Sequence, residues 1–355
     1  MKKLRLGTRR SALAQAQANG TANTLKAAFP DLHVEIVLIT TSGDIVSSPA
    51  SARFPSFPAA SGGEPMDRAH HNPYSAPSPG SLRDPLPVAA GDDVVARPSN
   101  LKALFTKEIE EALLDNRIDL AVHSLKDMSA TLPKGLIIGA VPLREDPRDV
   151  WISRTNTPFG KIPAGAKIGT GAVRRQAQLK HLRPDIEPIP IRGNVETRLK
   201  KLSLGRIDEI VALDGIILAL AGLKRLGLAH VATEILPIDV LLPAVGQGCL
   251  GIQIRDRDPA VLPLMKALDH ALSHAAARAE RAFLQKLGGT CQTPIAGHAS
   301  IEAGELTMRG LVISPDGQQL ISARESGRPF DAEGIGDRLA QKLLDAGANR
   351  VMQLS

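Results

Sequence analysis

Two segments place paired arginines where a predicted strand passes into a helix. Leu6-Gly7-Thr8-Arg9-Arg10-Ser11 and residues 168–175 both run from an apolar strand through a Gly-Thr turn. A helix N-terminus offers free N–H groups, and arginine adds a planar donor fork that suits carboxylate or phosphate. Arg192 and Arg198 lie at a similar junction further along. One such arginine would be assigned to the solvated surface, but the set predicts an anionic ligand shared by two α/β units.

A third polar cluster follows a predicted strand that ends at Val122. His123, Ser124, Lys126 and Asp127 occupy four of the next five positions. A carboxylate beside an ammonium keeps its charge at neutral pH, and it can move protons on a nitrogen-containing substrate. An ordinary polar loop with a Lys–Asp pair explains this segment equally well.

The chain has two cysteines. Cys291 follows a double-glycine stop after a predicted helix, where a thiol can act as a nucleophile or an attachment point, although a buried structural cysteine is the commoner case. Cys249 lies in an apolar run and is predicted to be structural. Two cysteines exclude a disulfide framework, and the nine histidines show no ligand spacing, so no metal is predicted.

The composition is that of a globular protein with two or three domains: 355 residues, 43% hydrophobic and 23% charged. Aromatic residues make up only 3%, and the basic residues are dispersed, which argues against nucleic-acid binding. No apolar stretch has the length of a membrane span, and the basic N-terminus has no apolar signal core. We therefore expect a soluble, cytoplasmic protein without a membrane partner.

Helical and strand periodicities alternate up to about residue 250, which predicts an α/β architecture with mainly parallel sheets. One of these helices is predicted over residues 173–182. The last ninety residues predict a small antiparallel α+β domain, with a strand over 305–313 and a turn at 314–317.

Residues 46–99 hold ten of the 26 prolines, and they predict a disordered insertion, more simply a passive linker than a functional lid. Residues 208–213 are repeated at 214–220, which predicts either a hairpin or a bulge.

Taken in order, these segments resemble the porphobilinogen deaminase family. Any one of the runs is weak evidence, but the series is specific, and it spans the chain apart from the insertion. The matching runs are residues 7–11, 104–110, 121–127, 144–149, 192–195, 221–227, 242–248 and 291–295.

The resemblance implies a fold of two α/β domains of the periplasmic-binding-protein class (type II) facing a cleft, plus a small C-terminal α+β domain with an antiparallel sheet. Domain 1 would be residues 1–143 completed by 244–266, domain 2 residues 147–242, and the C-terminal domain 268–355. The implied activity is that of a transferase, hydroxymethylbilane synthase, which condenses four porphobilinogen molecules head to tail and releases ammonia in tetrapyrrole (haem and chlorophyll) biosynthesis. A monomer is expected.

The resemblance also implies roles for individual residues. Cys291 would hold a covalent dipyrromethane cofactor, and Asp127 with Lys126 would be catalytic. Asp127 would help to expel ammonia and stabilise positive charge on the pyrrole. Cofactor-binding residues would be Ser124, Lys126, Asp127, Arg174 and Arg175; substrate-binding residues would be Arg9, Ser11, Phe105, Arg192, Arg198 and Arg225.

Two alternatives remain open at this point. A non-catalytic anion-binding module of the periplasmic-binding-protein class would share the arginine junctions, but would need neither Asp127 beside Lys126 nor Cys291. An impaired paralogue is the other, because residues 100–103 replace the family's Gly-Gly-Lys-Gly, Gly171-Ala172 replaces serines, and Met128-Ser129 replaces a hydrophobic–proline pair.

Overall fold

The structure is a computed structural model that describes residues 3–41, 103–204, 212–288 and 293–353, with side chains in the second range from Thr106 onward. The whole of the predicted insertion, most of the first copy of the repeat, and Cys291 lie outside these residues. Within the described part of the chain, no helix is both long and apolar enough to cross a membrane.

Strands and helices alternate through most of the described chain. The strands are β1 (Lys3–Arg9), β2 (His33–Ile39), β3 (Leu120–Ser124), β4 (Leu136–Ala140), β5 (Asp149–Ser153), β6 (Lys167–Gly169), β7 (Glu187–Ile189), β8 (Gly215–Ala219), β9 (Glu234–Ile235), β10 (Leu250–Arg255), β11 (Ile295–Glu302), β12 (Glu305–Ile313) and β13 (Leu320–Gly327). The helices are α1 (Ala12–Ala28), α2 (Ala103–Leu114), α3 (Val173–Leu182), α4 (Val195–Ser203), α5 (Leu220–Arg225), α6 (Leu262–Met265), α7 (Ala271–Leu287), α8 (Ala332–Asp345) and α9 (Ala348–Gln353).

Two five-stranded sheets share one arrangement. The first has the order β2-β1-β3-β10-β4 and the second β7-β6-β8-β5-β9. In each sheet the first three strands are parallel, and the fourth, β10 or β5, is antiparallel to both neighbours. The predicted fold class of two α/β units is confirmed. The expectation of mainly parallel strands holds for four strands in each sheet, and the single reversed strand is a correction to it.

The reversed strands have one origin, because each begins where the chain crosses from one sheet to the other. Residues 141–148 lead from β4 into β5, and residues 236–249 lead from β9 into β10. The two crossovers are hydrogen-bonded to each other: Gln247 Nε2 donates to the Pro147 carbonyl (2.7 Å), and Arg144 Nε donates to the Gln247 carbonyl (2.9 Å). The sheets are therefore joined by two adjacent segments of backbone.

The second copy of the repeated segment forms β8, directly followed by α5. Gly215 begins this strand against Trp151, and a Cβ placed there would lie 2.0 Å from the Trp151 ring and 2.6 Å from the Ile152 carbonyl oxygen. Only glycine fits at that position. The hairpin or bulge predicted for the two copies stays a prediction, since most of the first copy lies outside the described residues.

The C-terminal part forms a third sheet with the antiparallel order β11-β12-β13. Its core joins the buried faces of α7 and α8 to the sheet through Phe283, Leu306 and Leu339, each fully buried. The predicted glycine stop is confirmed: α7 ends at Leu287, and Gly288 has a left-handed φ of 67°. The predicted turn is also present, with Gly317 at φ 78° and its N–H donating to the Ser314 carbonyl. The predicted α+β architecture is confirmed.

One buried carboxylate connects this third sheet to the crossovers. Glu280 on α7 is fully buried, and it accepts hydrogen bonds from Arg144 Nη1 (2.5 Å) and from the Gly246 N–H (2.5 Å). It also accepts one from the Ala299 N–H of β11 (2.8 Å). Burying an ion pair is costly, and removing one partner leaves the other charge without compensation. The contact between α7 and the crossovers therefore depends on Glu280.

We expect Glu280→Ala to lower the free energy of unfolding by about 3–5 kcal/mol, because it leaves the Arg144 guanidinium buried without an anion. Urea denaturation followed by circular dichroism measures the change. Glu333→Ala is the matched control: Glu333, at the start of α8, pairs with Arg278 of α7 at 3.3 Å on the surface, and its removal should cost less than about 1 kcal/mol. Equal losses in the two variants would contradict a special role for Glu280.

Candidate active site

A pocket lies at the carboxyl ends of β3 and β8, between the first and second sheets. Five of the predicted site residues line it: Ser124, Lys126, Arg175, Arg198 and Arg225. Other lining comes from Leu13 and Gln17 of α1, from the start of α4 and from the second crossover, where Gly246, Gly248 and Cys249 contribute. The structure therefore brings together residues from Leu13 to Cys249, which are more than two hundred positions apart in the sequence.

Asp149, the first residue of β5, organises the cationic side of the site. It is fully buried and accepts hydrogen bonds from Arg174 Nη2 (2.8 Å), Arg175 Nη2 (2.7 Å) and Gln247 Nε2 (2.7 Å). Burial alone would raise the pKa of the Asp149 carboxyl, but the two guanidiniums hold it well below its ordinary value. Asp149 is thus a permanent anion that orients both arginines of the Arg174-Arg175 pair.

Burial lowers the pKa of the surrounding cations. Desolvation lowers the pKa of Arg174 to about 10, of Arg198 to about 10 and of Lys126 to about 8. The charge of Arg175 lowers these pKa values further, whereas nearby carboxylates oppose the shift. Burial also lowers the pKa of Arg225. An anion placed in this pocket would relieve the repulsion among these groups.

Several donors in the site have unused capacity. The Nε atoms of Arg174 and Arg175 are buried and have no hydrogen-bond partner among the described residues. Lys126 Nζ makes one long hydrogen bond, of 3.4 Å, to Gln247 Oε1. An unpaired buried donor costs free energy that a bound acceptor restores. The site is therefore built to receive anionic oxygen atoms.

Asp127 ends a short 3₁₀ helix, Leu125–Asp127, that follows β3. The side chain is exposed, and it has no hydrogen bond or ion pair within the described ranges. Its charge still acts on its neighbours, because it opposes the lowering of the pKa of Lys126 and of Arg198. The carboxylate thus borders the cationic pocket and remains available to a ligand.

The other predicted residues have different environments. Ser11 caps α1, accepting a hydrogen bond from the Ala14 N–H (3.3 Å), so that its own hydroxyl hydrogen remains available as a donor. Arg9 ends β1 close enough to lower the pKa of His123, after the larger effect of burial. Arg192 is exposed and does not line the pocket. The Phe105 side chain and Cys291 lie outside the described residues.

Three residues that position the site were not predicted: Asp149, Gln247 and Glu280. The sequence contained one signal for Asp149, because two adjacent arginines buried on a helix require a nearby anion. Gln247 lies in a Gly-Gln-Gly run that was noted only for the resemblance. Its amide links Lys126 and Arg174 to Pro147 and Asp149, so that all its hydrogen-bonding positions are used.

Comparison with known proteins shows two family models that together match most of the chain. A family model described as porphobilinogen deaminase, dipyromethane cofactor binding domain, matches residues 4–55 and 88–263. A second, described as porphobilinogen deaminase, C-terminal domain, matches residues 274–345. The first match breaks between residues 55 and 88, inside the predicted insertion at 46–99, so the chain has additional residues there; their predicted disorder stays a prediction.

Curated relatives match over almost the whole chain. The porphobilinogen deaminase of Syntrophotalea carbinolica is 43% identical over 98% of this chain and 95% of its own length. Those of Syntrophobacter fumaroxidans and Syntrophomonas wolfei are 40% and 41% identical, each over 99% of this chain and over 97% and 98% of their own lengths. Solved structures align more weakly: an alkanesulfonate-binding protein from Xanthomonas axonopodis pv. citri is 13% identical, with a TM-score of 0.34 over 80% of this chain and 74% of that one. Such a score adds nothing to the fold assignment, which rests on the strand orders.

Proposed function

The chain belongs to the porphobilinogen deaminase family, and on that premise we propose that Cys291 holds the dipyrromethane covalently and that Asp127 is the catalytic carboxylate. The family's enzymes are transferases that make hydroxymethylbilane from porphobilinogen. The observation that carries the proposal is the imbalance of charge among the described residues. Lys126, Arg175, Arg198 and Arg225 line the pocket, and Arg175 shares one buried carboxylate, that of Asp149, with Arg174.

This imbalance fits the cofactor. Each pyrrole unit carries two carboxylates, so a dipyrromethane brings four negative charges and a growing chain brings more. Guanidinium groups bind carboxylates with paired donors, and the attraction is strong where water is excluded. The unpaired Nε atoms of Arg174 and Arg175 are donors that such carboxylates would occupy. The residues present therefore fit the group.

We assign the residues by their position around the pocket. Lys126, Arg174 and Arg175, which contact Gln247 or Asp149, and Ser124, which lines the same pocket, would hold the acetate and propionate groups of the cofactor, together with Asp127 at its pyrrole N–H groups. Arg198 and Arg225 would bind substrate carboxylates. Arg9, Ser11, Phe105 and Arg192 would complete substrate binding from the ends of β1 and β7 and from α2.

The reaction requires the carbon–nitrogen bond of the aminomethyl group to break and a carbon–carbon bond to form. When bound, the dipyrromethane supplies the pyrrole carbon to which the first substrate is joined. Asp127 would accept a hydrogen bond from the substrate pyrrole N–H and stabilise positive charge as ammonia leaves. It would then take the proton that the new carbon–carbon bond displaces. Lys126 would keep a cation beside the carboxylates throughout.

We also infer the domain boundaries and the setting. Domain 1 would be residues 1–143 with 244–266, domain 2 residues 147–242, and the cofactor-carrying domain 268–355; the three separate sheets support this division. We propose a cytoplasmic monomer that acts on porphobilinogen, with neither nucleic acid nor membrane as a partner. The cations that the structure collects in one pocket support a small acidic ligand. The curated relatives do not favour the non-catalytic anion-binding module.

Intact mass spectrometry tests the attachment site. We expect the wild-type chain and the Cys249→Ser control to exceed the polypeptide mass by one dipyrromethane, and Cys291→Ser to lack the excess. Cys249 is buried, and burial raises the pKa of its thiol to about 11, so that it is a poor nucleophile. Bare mass in the wild-type chain after incubation with porphobilinogen would support the anion-binding module instead. A loaded chain without turnover would be an impaired paralogue.

For catalysis, we expect Asp127→Asn to lower kcat by about 10²–10⁴-fold, because the amide cannot accept a proton or stabilise a cation. The matched control is Asp115→Asn, on an exposed aspartate that pairs with Arg117, and it should leave kcat unchanged. The mass measurement shows whether the variant retains its cofactor. A loaded Asp127→Asn enzyme with a kcat near that of the wild type would rule out the proposed role.

The lowered pKa of Lys126 predicts proton uptake on ligand binding. In the Cys291→Ser protein at pH 8.5, Lys126 is partly deprotonated, because its pKa is about 8. Bound carboxylates favour the charged form and raise this pKa, so porphobilinogen binding should take up protons at pH 8.5 but not at pH 6.5, where Lys126 is already charged. Calorimetry in buffers of different ionisation enthalpy measures the uptake. Lys126→Arg, which stays charged, should abolish it; uptake that persists in this variant would come from another group.

A further inference from the structure

A second cavity, of about 410 Å³, lies against the face of α7 that points away from the core of the third sheet. It shares no lining residue with the pocket described above. We call it the α7 cavity. It is bounded by β4, by residues 130–132 of the loop that follows Asp127, by the outward face of α7 and by Glu333 at the start of α8. Its volume falls in the range of about 300–1,000 Å³ that is usual for small-molecule sites.

The floor of the α7 cavity is apolar. Leu132, Ile138, Val141 and Ala277 line it, and they belong to a buried cluster with Leu125 and Met128. A flat or branched hydrocarbon group in this space would remove apolar surface from water, at about 25 cal/mol per Å². The floor therefore favours a ligand with an apolar body.

One charge in the α7 cavity has no counter-ion. Arg281 Nη2 donates to the Ala130 carbonyl (2.8 Å), and within the described ranges this side chain makes no other hydrogen bond and no ion pair. Burial lowers the pKa of Arg281 to about 10, and no carboxylate opposes the effect. The other two basic side chains of the cavity have partners, since Arg278 pairs with Glu333 (3.3 Å) and His274 Nδ1 lies 2.7 Å from Asp269 Oδ1. An apolar cavity with a single uncompensated guanidinium is complementary to a single carboxylate.

We propose that the α7 cavity binds a small molecule with an apolar body and one carboxylate, the carboxylate lying on Arg281. This site is independent of the proposed function, because none of its residues lines the cationic pocket. The two sites also differ in chemistry. The cationic pocket has several positive charges, which suit a polyanion, whereas the α7 cavity has one uncompensated positive charge beside apolar side chains.

Isothermal titration calorimetry of the cofactor-loaded chain with 4-phenylbutyrate tests the proposal. We expect saturable binding to one site, and at least tenfold weaker binding of the neutral 4-phenylbutanamide. Arg281→Gln should weaken 4-phenylbutyrate binding at least tenfold, and Arg281→Lys should restore part of the affinity. Arg117→Gln is the matched control: this arginine is exposed, pairs with Asp115 and does not line the α7 cavity, so its loss should change the Kd less than threefold.

Two further variants separate the α7 cavity from the cationic pocket. Arg198→Gln, in the pocket, should leave 4-phenylbutyrate binding unchanged, whereas Ala282→Phe should block it by filling the α7 cavity. Weakening by Arg198→Gln with no effect of Arg281→Gln would place the carboxylate in the cationic pocket and overturn the proposal. Absence of binding at about 5 mM, or equal binding of the amide, would overturn it as well. Thermal unfolding of each variant confirms that it is folded.

Discussion

The arrangement of the site depends on one buried anion. Asp149 is the residue at which the first crossover enters the second sheet, and it accepts hydrogen bonds from the first turn of α3 and from the second crossover. A carboxylate without water is tolerated only where cations and donors surround it. Two guanidiniums share this one negative charge, so the structure itself leaves part of their charge uncompensated. The proposed binding of acidic ligands would follow from that shortage.

Glu280 is a second buried carboxylate, and it connects the third sheet to the crossovers as Asp149 connects the second sheet to them. It holds α7 to Arg144 of the first crossover and to Gly246 of the second, and it reaches β11 through Ala299. Both buried carboxylates therefore act on the short stretch where the chain passes between sheets. Only three residues separate the end of α7 at Leu287 from Cys291 in the sequence, so the helix that leads towards the proposed cofactor residue is held by the same two crossovers as the arginines.

The sequence alone predicted the elements whose signals are local. α3 and β12 have the predicted bounds, and the stops at Gly288 and Gly317 were recognised from turn chemistry. The reversed strands β5 and β10 were not predicted, because strand direction is set by a partner that lies far along the chain. The same reason hid Asp149: its contact with Arg175 spans 26 positions, and hydrophobic periodicity carries no information about such pairs. The resemblance supplied the residue types of the site, whereas the division of charge among them required coordinates.

The two crossovers also set an order for synthesis. The second sheet is complete within residues 149–235, so it can form as soon as that stretch has left the ribosome. The first sheet cannot, because β4 is attached only through β10, which emerges more than a hundred residues later. The N-terminal strands must therefore wait, with one edge of β3 unpaired, until the chain has returned from the second sheet. In a nascent chain, the first sheet would therefore begin to emerge before the second sheet but would be completed after it.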